Sequence, residues 1–260
     1  MKVRTKIILR FPILSWQNHR ARVLNKKIRK WKDGNRYPSQ WRIKYVIKKA
    51  KKFLKIMKIK VHVKGYENIP KGAVLLTPNH ASSLDPAILI VALIDKNAIP
   101  TDHQFEPLFL AKDELKKNRF RGYLNILSTF YVHRSNPRLA LKELDNFMNF
   151  AKKHQKVGIV FPEGTRSTNG EIEQFKSGAF RIAKKGFIPI IPVTINNSLT
   201  ASNLNRRQWL HVEVIFDKVL KPITFLGQDT KEISTRVHDI VKSNFKSIPM
   251  KKNEEKETSS

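Results

Sequence analysis

The sequence predicts an α/β domain built on a mixed sheet, with a basic, amphipathic helical arm at its N-terminus. Short apolar runs of strand length alternate with longer periodic segments of helix length, as strand–helix–strand units do. Two of the runs, Ala73–Leu76 and Val157–Phe161, lead directly into polar, turn-forming stretches. The charge is segregated: of a net +30, residues 1–64 carry +21, with 22 Lys/Arg and one acid, Asp33, while the remaining 196 residues carry +9. That surplus marks the arm as a device for an anionic partner: phospholipid, nucleic acid or acidic protein.

Residues 1–36 are basic, contain Trp16 and Trp31, and end in a turn at Asp33-Gly34-Asn35. The most periodic segment is 41–59, where Ile43, Val46, Ile47, Ala50, Phe53, Leu54 and Met57 share one helical face and lysines cover most of the rest. Such a helix suits the plane of an anionic membrane, apolar side down. The other reading is a helix packed on the domain with a solvated basic face; lysine density and nearby aromatics favour the membrane. Lys60–Lys64 alternates like a strand, and the strand at 73–77 ends at Pro78, which cannot donate to a sheet ladder. Pro86 opens an apolar helix running to Ile94. A strand at 109–112, a helix at 137–154 and a strand at 157–161 follow. Then come a short helix from Phe180 stopped by Gly186, a strand at 188–195 carrying Pro189 and Pro192, and an alternating strand at 212–216 read as a sheet edge. From Pro249 the chain is polar and expected to be disordered. The division is therefore an arm at 1–59, a domain at 60–248 and a tail at 249–260.

With no cysteine, disulfides, thiolate metal sites and a cysteine nucleophile are excluded, and a reducing compartment fits. No apolar run reaches the roughly 18–20 residues of a membrane span. The N-terminus does not read as a secretory signal, because Arg10 and Pro12 break the run Ile7-Ile8-Leu9. A protein that is cytosolic or attached to a surface facing the cytosol is expected.

The stretch Asn79-His80-Ala81-Ser82-Ser83-Leu84-Asp85 holds the candidate chemistry. His80 and Asp85 would not share a face of a regular helix, but a turn of small residues lets them meet. A carboxylate on one imidazole nitrogen fixes the tautomer and leaves the other nitrogen to take a proton. The plainer reading makes Asp85 an N-cap and His80 a loop residue bonded to a carbonyl. There is no Gly-x-Ser-x-Gly elbow, P-loop lysine or dinucleotide fingerprint. His62, His103, His133, His154, His211 and His238 show no metal-ligand spacing, and His19 lies in the arm. A base without a recognisable protein nucleophile suits direct attack by a substrate hydroxyl; Ser82 and Ser83 keep a minor claim to a nucleophilic role. Glu163-Gly164-Thr165-Arg166 follows a strand, where ligands bind in open α/β sheets. Its glycine allows close backbone approach to an anion, and its arginine offers a planar fork for phosphate oxygens.

The His-x4-Asp stretch followed by Phe161-Pro162-Glu163-Gly164-Thr165-Arg166-Ser167 resembles the glycerolipid acyltransferases, and among them the 1-acylglycerol-3-phosphate (lysophosphatidate) acyltransferases. The resemblance spans about residues 60–220 and implies His80 as general base, oriented by Asp85, acting without an acyl-enzyme. It places Asn79 beside the substrate, puts Gly164, Thr165 and Arg166 on the acceptor's phosphate, and gives Glu163 the shaping of that loop. Tyr131-Val132-His133-Arg134 resembles a block whose arginine, here Arg134, contacts the glycerol phosphate. Ala111–Leu115 resembles one whose lysine, Lys112, faces the phosphate, although a plain surface role fits Lys112 nearly as well. Phe175–Ala179, with Lys176, matches a further block. Ile188–Val193, with Pro192, matches one lining the acyl-donor side.

The expected reaction places a second acyl chain on lysophosphatidate, from acyl-coenzyme A or acyl-carrier protein, at an anionic membrane on the cytoplasmic face, with no metal or cofactor. Glycerol 3-phosphate or another lysophospholipid is the alternative acceptor. Nucleic-acid binding rests on charge alone and has no fold signature beside it. An inactive lipid-binding protein on the same fold would not need an intact His80 and Asp85.

Overall fold

The computed structural model describes residues 1–30, 37–94, 105–117, 120–133 and 135–246. Trp31, the turn at Asp33–Asn35 and the polar tail lie outside the described residues. Among the described residues seven strands form the sheet: β1 (Ile59–Lys64), β2 (Val74–Pro78), β3 (Pro107–Lys112), β4 (Phe130–Val132), β5 (Val157–Ile159), β6 (Ile190–Asn196) and β7 (Leu210–Phe216). Their order is β1-β7-β6-β2-β5-β3-β4. Every neighbouring pair is parallel except β6–β7, so the sheet is mixed, as the sequence predicts.

Successive strand residues feed opposite layers. Leu76, Phe109 and Ile191 join the layer of helices α2 (Ser39–Ile56) and α3 (Asp85–Ala92); Leu75, Leu108 and Ile190 join that of α5 (Pro137–Lys153), α6 (Gly178–Gly186) and α7 (Thr230–Ser243). Period-two alternation with both faces covered makes β2 buried throughout and places it at the sheet's centre. Gly158 of β5 makes room there: an added Cβ would lie 3.2 Å from the Phe147 ring of α5, a tight contact. Pro192 sits inside β6, where it lacks a donor. The loss falls where the β7 ladder is ending, and the Pro192 carbonyl still accepts from the Asp217 N–H at 3.0 Å.

Three expectations change. The strand at 212–216 is internal, between β1 and β6; its alternation reflects one solvated face, not an edge position. Gly186 is the last residue of α6, and Phe187 supplies the left-handed turn at φ 54°. The largest correction concerns residues 41–59. The apolar face of α2 is spent on the core, with Ile43, Val46, Ile47, Ala50, Leu54 and Met57 all buried and the Phe53 ring 6.0 Å from that of Phe120. The packed reading stands, and α2 belongs with the domain rather than the arm.

Helix α1 (Val3–Lys30) is built differently. Its buried residues are Val3, Gln17, Asn18 and Ala21, while Ile8 (61% exposed), Leu9 (67%), Phe11 (53%), Ile13 and Trp16 face outward. It packs on α4 (Arg121–Ile126), where Gly122 permits the approach: a Cβ there would lie 2.9 Å from the Arg22 nitrogen. No helix among the described residues is long and apolar enough to cross a membrane.

Candidate active site

Strands β2 and β5 are parallel neighbours, so the turns after their C-terminal ends meet. The β2 turn carries His80. Asp85 is the first residue of α3 and does not cap it: its side chain reaches back into the turn. Asp85 Oδ2 accepts from the Ala81 and Ser82 N–H groups at 2.9 and 2.8 Å and lies 2.8 Å from His80 Nδ1. An ionised carboxylate only accepts, so Nδ1 carries the hydrogen and Nε2 is left with its lone pair. Asp85 is fully buried, whereas the His80 side chain keeps 18% exposure. The Phe161 ring stacks on the imidazole, with centroids 4.1 Å apart and planes 28° apart.

The second motif is bonded to the first through the backbone. Glu163 Oε1 accepts from the His80 N–H at 2.6 Å, and the His80 carbonyl accepts from the Ser167 N–H at 2.8 Å. Glu163 Oε2 accepts from the Glu173 N–H at 3.2 Å. Burial pushes the Glu163 carboxyl up to about 7, against the two backbone donors that favour its ionised form. Glu163 thus lies under the turn, and it is Thr165 and Arg166 that are exposed. Gly164 adopts φ +77°, and the Lys176 side chain crosses directly over it, within 3.0 Å of where a Cβ would stand.

The remaining candidates divide. Asn79 is committed to β6: it donates to the Ile195 carbonyl at 3.1 Å and accepts from the Ile195 N–H at 2.7 Å, which extends the β2–β6 pairing beyond Pro78. It is buried, at 2% exposure, with its amide spent on the Ile195 backbone. Pro192 is likewise buried within β6, paired with Thr77. Lys112 is exposed at the C-terminal end of β3, two strands from β2. Arg134 lies outside the described residues.

Sequence reasoning missed two clusters. Ser202, in the short 3-10 helix at 199–202, bonds the hydroxyls of Ser82 and Ser83 at 3.2 and 3.1 Å and so buttresses the His80 turn. His133, just after β4, has Nδ1 2.8 Å from Glu143 and Nε2 3.2 Å from Asp113. The Asp113 carboxyl is held low by its hydrogen bond to Lys116. Neither spacing signals contact along the chain. Among the described residues, no group of three His, Cys, Asp or Glu could hold a metal.

A histidine with one ring nitrogen on a buried carboxylate stands here at the C-terminal ends of parallel strands, with exposed Arg166 on the neighbouring turn, an arrangement of the kind that general base catalysis uses. The family model for Acyltransferase matches residues 60–196. A Mycoplasma pneumoniae protein named "Probable 1-acyl-sn-glycerol-3-phosphate acyltransferase" is 33% identical over 211 residues, 77% of each chain. The equally named Mycoplasma genitalium protein is 32% identical over 221 residues, covering 81% of this chain and 80% of its own. The 1-acyl-sn-glycerol-3-phosphate acyltransferase of Saccharomyces cerevisiae is 34% identical over 176 residues, 64% of this chain and 52% of its own. The chain belongs to the acyltransferase family. The crystal structure of PlsC, the 1-acyl-sn-glycerophosphate acyltransferase of Thermotoga maritima, shares the fold, with a TM-score of 0.68 over 93% of this chain and 92% of that one at 23% identity.

Proposed function

We propose that this acyltransferase moves a fatty acyl group from a thioester of coenzyme A or acyl-carrier protein to the sn-2 hydroxyl of 1-acylglycerol 3-phosphate, giving phosphatidate. The observation that carries the reading is the 2.8 Å contact between His80 Nδ1 and a fully buried Asp85. The hydroxyl oxygen attacks the thioester carbonyl carbon while His80 Nε2 takes its proton. The tetrahedral adduct then expels the thiolate, which recovers that proton from the imidazolium. Buried Asp85 stabilises the imidazolium while it exists. Arg166, Thr165, Lys176 and Lys112 supply donors and positive charge for the acceptor's phosphate, and Arg134 joins them by its motif. Glu163 and Asn79 hold the two loops in register.

The acceptor is a lipid, and α1 supports a peripheral seat on the cytoplasmic face of the cell membrane. It buries two amides, Gln17 and Asn18, exposes Ile8, Leu9, Phe11, Ile13 and Trp16, and contains no acidic residue. The test is a radiolabelled acyl-transfer assay across acceptors and both donors, on wild type and His80→Ala. Turnover on lysophosphatidate should fall about 10²–10⁴-fold in the variant. Near-normal turnover in a folded His80→Ala protein, or indifference to the acceptor's phosphate, overturns the proposal.

A further inference from the structure

Given His80 as the base of the reaction proposed above, we infer that Phe161 is a positioning residue that fixes the imidazole plane and stabilises the imidazolium as it forms. The contact to Asp85 holds only one edge of the ring, and a single hydrogen bond lets a ring rock about the bond axis. That rocking would swing Nε2 away from a bound hydroxyl. The Phe161 ring, 4.1 Å away centroid to centroid and inclined by 28°, lies on the imidazole face and blocks this motion.

The backbone makes the stack rigid. Phe161 follows β5, and its carbonyl accepts from the Gly164 N–H at 3.1 Å, which closes the motif turn. Two residues on, Glu163 grips the His80 N–H at 2.6 Å, and Ser167 returns to the His80 carbonyl at 2.8 Å. The segment that carries the phenyl ring is therefore bonded on both sides to the residue that carries the imidazole.

The stack also responds to the reaction. A phenyl face is the negative part of its quadrupole and attracts a cation more strongly than a neutral ring. The contact therefore strengthens as His80 takes the proton, an interaction gained in the transition state and thus expressed in kcat. A phenylalanine that merely filled space would be replaced by leucine with little consequence, since leucine keeps most of the apolar volume without the π face.

The experiment compares steady-state kinetics of wild type, Phe161→Leu, Phe161→Met, Phe161→Tyr and Phe161→Trp, each checked for folding by circular dichroism and urea unfolding. Phe161→Leu and Phe161→Met should lower kcat about ten-fold, with acceptor and donor KM changing less than about two-fold, while Tyr and Trp restore most of the rate. In a His80→Ala background, Phe161→Leu should cost almost nothing more, because it acts through the imidazole. Wild-type kcat in a folded Phe161→Leu or Phe161→Met protein overturns the inference. So does a loss confined to KM, which would make Phe161 a wall of the substrate site. If His80→Ala itself keeps its activity, the base assignment fails; if His80→Ala is inactive while Phe161→Leu is normal, only the role of Phe161 fails.

Discussion

Replacing Glu163 with glutamine tests whether the two motifs are joined through a buried titrating group. Glu163 is 3% exposed, and burial raises its carboxyl from an ordinary 4.5 to about 7. Neighbouring Glu173 and Asp85 also push it up, while the N–H groups of His80 and Glu173 pull it down. Because the folded state holds this proton more tightly than the unfolded chain, stability must fall as pH rises from the unfolded to the folded value. At about 1.36 kcal/mol per unit, the loss across that window is on the order of 3 kcal/mol, and it levels off above neutrality. Glutamine does not titrate. It is nearly isosteric but has one accepting oxygen in place of two, so one backbone N–H loses a partner at every pH. The free-energy difference between Glu163→Gln and wild type should therefore shift in the variant's favour by up to about 3 kcal/mol between about pH 5 and pH 8. Urea unfolding across that range, extrapolated linearly at each pH, reads the shift. A difference that does not change with pH would mean that the carboxyl does not titrate in this window, and the reasoning from burial would fail.

Gly164→Ala should raise the acceptor KM several-fold and leave the donor KM unchanged, since the φ of +77° costs a side chain on the order of 1–2 kcal/mol and the new Cβ displaces Lys176. Normal acceptor kinetics would remove this loop from the phosphate site. Arg206→Met should destabilise the fold by about 2–4 kcal/mol in urea unfolding. Its guanidinium donates to the carbonyls of Met57 at 2.8 Å, Lys58 at 3.1 Å and Ala201 at 3.2 Å, tying the end of α2 to the helical turn that buttresses Ser82 and Ser83. A loss below about 0.5 kcal/mol would show those carbonyls to be satisfied by water. Phe11→Asp and Leu9→Asp should abolish cosedimentation with anionic vesicles while leaving the unfolding curve unchanged; full vesicle binding in both variants would discard α1 as the membrane face.

The strands that position the site were legible because each states its burial along its own length. The β2 and β5 runs are apolar without alternation, as strands covered on both faces must be, and each ends at the residues that form the turn. The meeting of His80 and Asp85 could be anticipated, because five residues of small-residue turn leave few geometries. Asn79 could not be read as a pairing residue, since its partner, Ile195, is fixed only by which strand lies beside β2. Helix α7 was overlooked despite a written signal, the Asp229–Glu232 capping box ahead of Ile233, Val237 and Val241. Helix α4 and strand β4 are too short to show a period.

The arm shows why a hydrophobic pattern names a face but not its partner. A core and a bilayer are both apolar solvents, so the regular apolar stripe of α2 is equally consistent with either, and its lysines only require that the opposite side be wet. What decides is the complement already present in the fold: α3 and β1 offer an apolar surface that α2 covers. Helix α1 has the weaker apolar periodicity. Once packed, however, it turns Gln17 and Asn18 inward and leaves Ile8, Leu9, Phe11 and Trp16 outside. It also packs Val3, Ile7, Ala21, Leu24 and Ile28 on the core, yet each exposed large apolar side chain forgoes roughly 1.5–3 kcal/mol of burial. That exposed set has a physical rationale if a second apolar phase meets the outer side. The helix with the cleaner pattern therefore belongs to the core, and the one with the poorer pattern carries the argument for the membrane.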